Sequence, residues 1–204
     1  MSNFDFRGII EAFKEFARKE GFYQKDPIGL LSPVFPDEFN VSAGHDYSFE
    51  IFKMPDPLKD KIHFSLIDTC FRRIDIDRVG YSNHLSLFHI ALFGYAEDTI
   101  KIKDSIRNAV YQFVKFLTEV LGLSLNKLLI TTFGEWKEKN INNQDGLELI
   151  KGWEKSGISE NRLLILNGRR NFFLSQSSIC AGPTCEVYYD RGEEAENLGS
   201  PPIH

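Results

Sequence analysis

In the 204-residue chain the densest charge next to an apolar strand lies in CFRRIDIDRVGYSNH, where Arg72, Arg73 and Arg78 are interleaved with Asp75 and Asp77. An arginine leaving a strand end can hold a phosphate in bidentate geometry, because its planar fork matches two phosphate oxygens. The plainer reading is a solvated loop whose arginines and aspartates pair with one another, as surface charges commonly do. Composition alone favours the plainer reading. His84 and His89 are five residues apart, so strand alternation sends them to opposite faces and they cannot share a metal by themselves. Cys180 and Cys185 joined by one of those histidines could ligate zinc, but their C-x4-C spacing departs from that of the short zinc knuckles. Cys185 has no identifiable histidine partner in sequence, which favours a structural thiol over a nucleophile. No G-x-x-x-x-G-K-[ST], G-x-G-x-x-G or G-x-S-x-G occurs, so P-loop and Rossmann cradles and a nucleophile elbow are unsupported.

The elements that must position these residues are legible in the periodicity. Ile9, Ile10, Phe13, Phe16 and Ala17 recur at helical spacing after the candidate caps Ser2, Asn3 and Asp5, with Gly21 where a C-cap belongs. From Tyr23 to about Pro57 five prolines punctuate loops and short extended pieces. Ile62 to Phe71 and Leu85 to Phe93 read as strands, and the charged connector between them predicts a long-looped antiparallel pair. An apolar stripe from about Glu97 to Leu121 predicts the clearest amphipathic helix, and Asp145 to Lys155 a second. Leu128 to Phe133, Arg162 to Leu166 and Glu186 to Tyr189 read as further strands, and Gly182-Pro183 as a turn. The expectation is one α+β domain around a largely antiparallel sheet.

Composition sets the outer bounds. Hydrophobic residues are 42% and charged ones 26%, which excludes a fibrous or largely disordered chain. Eighteen Phe against 2 Trp and 2 Met predict a Phe-rich core. A formal charge of −5 confines any RNA contact to a local patch. The opening MSNFDFRGIIEAFKEF lacks an apolar run behind a basic start, and no stretch reaches the roughly 20 apolar residues of a membrane span. A cytoplasmic protein without a membrane anchor is expected.

Several stretches taken together resemble one family. CFRRIDIDRVGYSNHLSLFHI, Cys70 to Ile90, is similar to the second class II motif of alanyl-tRNA synthetases. There a C-[VI]-R strand end leads through a loop to D-[IL]-[DE]-N-V-G and on to an R-H-x-T-x-F-E-M strand. IIEAFKEFARKEG resembles the family's opening helix, and SAGHDYSFEIFK its N-A-G-M-x-x-F-K segment. QDGLELIKGWEKSGISENRLLILNG resembles its acidic helix and following strand. RNFFLSQSSICAGPTCEVYYDRG resembles its D-N-F-W … G-P-C-G-P-C-x-E-[IV]-x-Y-D-[HR]-G stretch. The similarity runs in order from about Ile9 to Gly192.

The resemblance implies a class II synthetase-like antiparallel sheet flanked by helices. Residues 1–192 would form a catalytic core that stops before the third class II motif, and 193–204 a loose tail. It implies an ATP-dependent ligase that activates an amino acid, alanine or similar, as its adenylate. The alternatives are a non-catalytic paralogue acting as a nucleotide-binding or protein-interaction module, or one half of a split synthetase. Arg72 falls on the motif 2 arginine, expected at the ATP α-phosphate and in catalysis. Phe88 falls where a ring is expected against adenine, and His84 on the first His of R-H-x-T. Phe173 replaces the D-N-F-W tryptophan near the amino-acid pocket, and Asp75 and Asp77 match the loop's acidic positions. ATP would carry Mg²⁺ across its phosphates, with no metal site built by the protein itself. The departures are Asn83 for the motif's arginine, His89 for its glutamate, Arg170 for the aspartate of D-N-F-W, Ala43-Gly44-His45 for A-G-M, and Thr184 and Cys185 in the G-P-C-G-P-C segment. The expected partners are ATP and a small amino acid, with tRNA a further possibility. A homodimer contact or protein partner is expected over the open sheet edge.

Overall fold

The first helix starts because Asp5 caps it. Its carboxylate accepts the Gly8 N–H at 2.7 Å, satisfying one of the orphan donors of α1, Phe6–Lys19. A Schellman turn ends the helix: Phe22 N–H donates to Ala17 O at 2.9 Å and Gly21 N–H to Arg18 O at 3.2 Å. Gly21 sits at φ +80°, a conformation that a side chain would strain. The turn folds Phe22 back beside Phe13, Phe16 and Ala17, and all four are buried.

The structure is a computed structural model that describes residues 5–30, 62–82, 84–96, 102–142, 144–174 and 181–192. Ser2, Asn3, Ala43-Gly44-His45, the SAGHDYSFEIFK segment, Asn83, Cys180 and the tail, for which the sequence carries expectations, lie outside the described residues. The chain divides into two compact units, one chiefly Asn3–Thr99 and the other chiefly Ile100–Gly192.

In the first unit a three-stranded sheet runs in the order β1 (Tyr23–Gln24), β2 (Ile62–Phe71), β3 (Leu87–Ala96). β1 joins β2 in parallel, and β2 and β3 form the expected antiparallel pair, from Ile62 opposite Ala96 to Phe71 opposite Leu87. β3 starts two residues later than its apolar pattern, because Leu85 still belongs to the connector. Alternation divides the sheet into two faces. One carries Ser65, Thr69, His89 and Phe93 and receives α1. There Phe13 stacks on Phe93 with ring centroids 4.5 Å apart, while Phe22 and Phe16 approach the same ring at 4.9 and 5.7 Å. The other face carries Phe64, Leu66, Asp68 and Cys70 beside Leu92, Ile90 and Phe88.

Gly94 stands directly opposite Phe64 on this second face. A Cβ there would fall 2.1 Å from the Phe64 ring, which is 2% exposed and has nowhere to retreat. Gly94→Ala is therefore expected to cost about 1–3 kcal/mol through overpacking. Urea unfolding measures it, and an unchanged midpoint would show that the ring yields freely.

In the second unit the stripe read from Glu97 to Leu121 is described from Ile102. It forms α2, Ile102–Lys115, whose final turn widens into a π-helical turn over Phe116–Val120. α3, Gln144–Lys155, packs against α2 closely enough that a Cβ on Gly152 would lie 3.1 Å from Val110 Cβ. Glu148 ties the helices together, accepting from Arg107 of α2 and from Lys151 Nζ at 2.9 Å. Those partners, the Lys151 hydrogen bond first, hold its carboxyl below the usual glutamate value. Both helices cover one face of a sheet ordered β5 (Leu163–Leu166), β4 (Leu128–Phe133), β8 (Cys185–Tyr189). Val110, Val114, Leu128, Ile130, Trp153 and Ile158 form the buried core there.

One sequence expectation is corrected in this unit. The Gly182-Pro183 turn is in fact part of a short strand, β7 (Ala181–Pro183), paired antiparallel with β6 (Phe172–Leu174). Proline is tolerated because, among the described residues, the pair is only two strands wide. Helices and largely antiparallel strands make the α+β class that the periodicity predicts.

Candidate functional site

Arg72 is the first residue past β2, extended at φ −119° and ψ 108°, and its N–H donates to Ser86 O at 2.8 Å. That bond carries the β2–β3 pairing one step beyond the last strand residues. It holds Arg72 on the face of Cys70 and Phe88, which are themselves opposite each other. The guanidinium carbon lies 5.0 Å from the Phe88 ring centroid, within cation–π range. Arg72 is exposed and Phe88 half-buried, so a planar cation rests against a ring at the rim of the sheet.

The connector then winds into a 3-10 helix, Arg73–Arg78, and closes in a turn. Ser82 Oγ donates to Arg78 O at 3.1 Å and lies 2.6 Å from His84 Nδ1. Nδ1 is the ring nitrogen that Ser82 engages, and Nε2 is the other one. His84 is exposed.

His89 sits on the other face, as alternation requires. Its Nε2 is 3.3 Å from Thr69 Oγ1, and Phe6 of α1 meets its ring edge-on at 5.1 Å. His89 is thus exposed beside Phe6, on the face opposite Phe88. Asp77 is exposed on the connector. Phe173 belongs to the second unit, on β6 opposite Gly182, and is half-buried. The first unit thus brings Arg72 and Phe88 together and leaves His84 on the turn.

Two residues with structural leverage escaped the sequence reading. Asp68 is 1% exposed on the Phe88 face and accepts three backbone N–H groups: Gly29 at 3.0 Å, Thr69 at 2.9 Å and Ile28 at 3.4 Å. It anchors the segment after β1 to the sheet, with Gly29 at φ +82°. An acidic residue at an inward position of an apolar strand was the available signal. Asn171, at φ 53°, donates through its side-chain amide to Thr131 O at 3.4 Å.

Cys185 packs against the core that contains Trp153. Burial pushes its thiol up from 9.0 to about 11, the Trp153 indole opposes the rise, and the Glu186 carboxylate adds to it. The thiol is protonated at neutral pH, which suits a structural role. Between pH 9 and 11 the unfolded thiol ionises while the folded one does not, so this contribution to stability is lost as pH rises through that window. Relative to Cys185→Ser, the wild-type chain should lose an extra ~2 kcal/mol across that range. Urea titrations at both pH values measure it, and parallel curves would refute it.

Comparison with known proteins gives these features a family. The profile of the tRNA synthetases class II (A) matches residues 52–202. The chain belongs to that family. It is 31% identical to an alanine–tRNA ligase of Dehalococcoides mccartyi over 188 residues, which is 91% of this chain and 20% of that protein. An alanine–tRNA ligase of Treponema denticola is 30% identical over 185 residues, covering 89% of this chain and 29% of the relative. That of Rubrobacter xylanophilus is 31% identical over 131 residues, 63% of this chain and 14% of the relative. The chain is an alanyl-tRNA synthetase-like class II domain that spans less than a third of the length of these relatives. A crystal structure from Aeropyrum pernix, assigned as a threonyl-tRNA synthetase, shares 13% identity at TM-score 0.48, over 78% of this chain and 42% of that one. No helix among the described residues is long and apolar enough to cross a membrane.

Proposed function

We propose that this domain binds ATP and activates an amino acid, alanine or one of similar size, as its adenylate. The observation that carries the reading is Arg72 at the end of β2, held over Phe88 on one face of the sheet. In the reaction a carboxylate oxygen attacks the α-phosphorus and the bond to pyrophosphate breaks, with charge developing on the equatorial oxygens. A guanidinium fork fixed at a strand end suits that charge, and an aromatic ring beside it suits a purine. His84 offers Nε2 from the turn to a phosphate or ribose group, and Phe173 is the residue proposed for the amino-acid pocket.

Among the described residues no cluster of three or more His, Cys, Asp or Glu side chains is placed to hold a metal. Mg²⁺ would ride on the nucleotide phosphates, where it neutralises charge. Transfer to tRNA would have to run through Arg72, Arg73 and Arg78, since the acidic chain offers no dense basic stripe. The proposal places the protein in the cytoplasm. It includes a homodimer or protein partner over a sheet edge, β8 being an edge strand among the described residues.

A non-catalytic relative is the competing reading. It draws on Asn83 and on His89, which faces α1 where the resemblance puts a glutamate beside the nucleotide. ATP–pyrophosphate exchange with a panel of amino acids separates the two. Exchange with one amino acid establishes adenylation and names the substrate, whereas none with any of them leaves the non-catalytic reading.

A further inference from the structure

The short first strand leaves a cavity beside it. β1 pairs with β2 through Tyr23 and Gln24 alone, and Lys25 N–H then donates to Ser65 O at 2.8 Å. A parallel ladder would take its next donor two residues on, at Pro27, and proline has no N–H. The pairing stops there. The chain is picked up again on the opposite face of the sheet, where Asp68 accepts from Ile28 and Gly29. A cavity of about 350 Å3 lies between α1 and residues 65–67 of β2, where the chain changes face.

The lining is mixed in a way that suits a small molecule. Phe13 and Ser65 are buried beneath it, Ile10 is half-buried in its wall, and Lys14 is exposed at its rim. The volume falls at the lower end of ligand pockets, and an apolar lining with a few polar groups is their usual make-up. Ser65 is 2% exposed, and among the described residues its hydroxyl meets no hydrogen-bond partner. A buried hydroxyl without a partner is unfavourable unless the contents of the cavity supply one. Of the charged residues in the lining, Lys14 and Lys25 are cations and Asp26 is an anion, a local excess of positive charge in a chain of net charge −5. Lys14 donates to Glu11 at 3.0 Å, which leaves two of its three ammonium protons.

We propose that this cavity binds a small organic monoanion with an apolar ring and a polar group at the far end, for which 4-hydroxybenzoate is a probe. The ring lies against Phe13 and Ile10, the carboxylate meets Lys14, and the phenolic oxygen meets the Ser65 hydroxyl. An inorganic anion would leave the apolar lining unused, and a neutral solute would leave the lysines unused. The cavity is on the α1 face and shares no residue with Arg72 and Phe88, so the inference stands apart from the adenylation reading.

Titration of the full chain with 4-hydroxybenzoate in the absence of ATP, followed by amide NMR shifts and calorimetry, tests it. Saturable shifts are expected in α1 and around Ser65. Benzoate and 4-hydroxybenzamide, each lacking one polar partner, should bind about tenfold more weakly. Ser65→Ala should erase the preference over benzoate, and Lys14→Gln should narrow the preference over the amide. Ile10→Trp, which fills the cavity from its wall, should abolish binding. Circular dichroism and thermal unfolding of each variant separate a lost site from a lost fold. No saturable binding at millimolar concentration overturns the proposal and leaves the cavity to water. So do shifts confined to the Arg72 and Phe88 face, or equal affinity for the acid and its amide.

Discussion

Arg72→Ala is expected to lower ATP–pyrophosphate exchange by about 10³-fold, the scale of losing one fixed donor from a developing oxyanion. The magnitude rests on placement. The Arg72 backbone is held by the bond to Ser86 O, so its side chain starts from a defined point at the strand end. A group already in position stabilises the transition state without reorganising at the moment of reaction. Arg72→Lys should recover only part of the loss, because an ammonium cannot reproduce the two parallel hydrogen bonds of a guanidinium fork. Thermal unfolding should be little changed in both variants: the side chain is exposed, and its contact with Phe88 is worth about 0.5–1 kcal/mol at such a site. A variant that exchanges at the wild-type rate would remove Arg72 from the chemistry.

Asp68→Ala is expected to destabilise the protein by about 3 kcal/mol, the largest effect of any single substitution proposed for stability. Its carboxylate is the acceptor for Gly29, Ile28 and Thr69 N–H, all in a region where the Asp68 side chain itself is out of water. Truncation leaves those donors without their acceptor and opens a small polar cavity. Asp68→Asn keeps one carbonyl oxygen and should cost distinctly less, provided that the amide turns this oxygen toward Gly29. Urea unfolding of the three proteins gives the order: wild type above Asn above Ala. Equal midpoints for Ala and wild type would mean that water satisfies the freed donors.

Much of the fold could be read residue by residue. The strands expected at Ile62 to Phe71 and Leu128 to Phe133 stand at those bounds, and the second amphipathic helix begins one residue early, at Gln144. These segments were legible because alternation and the 3.6-residue period are local, and each falls inside a run of six residues or more. Gly182-Pro183 was misread for the same reason. Turn propensity is also local, but the three-residue strand there is imposed by pairing with β6, and Thr184 is held by Asn171 O at 2.7 Å. In so short a segment the partner outweighs the propensity.

The candidate site divides the same way. The sequence by itself determined that an arginine leaves the end of an apolar strand and that an aromatic ring lies on the strand that follows the loop, whereas the alternation argued for His84 and His89 does not apply, because His84 precedes β3. It determined the family through motifs in order along the chain, a likeness that the matched profile bears out. Only the tertiary structure decided that Arg72 rests on Phe88, that His89 is packed against Phe6, and that Asp68 holds Ile28 and Gly29 from about forty residues away. It alone decided that the connector turns its isoleucines and Tyr81 to water. The physical reason is that side-chain pattern is written along the chain. Register, face and exposure are set by which distant segments pair, and no local window contains both partners.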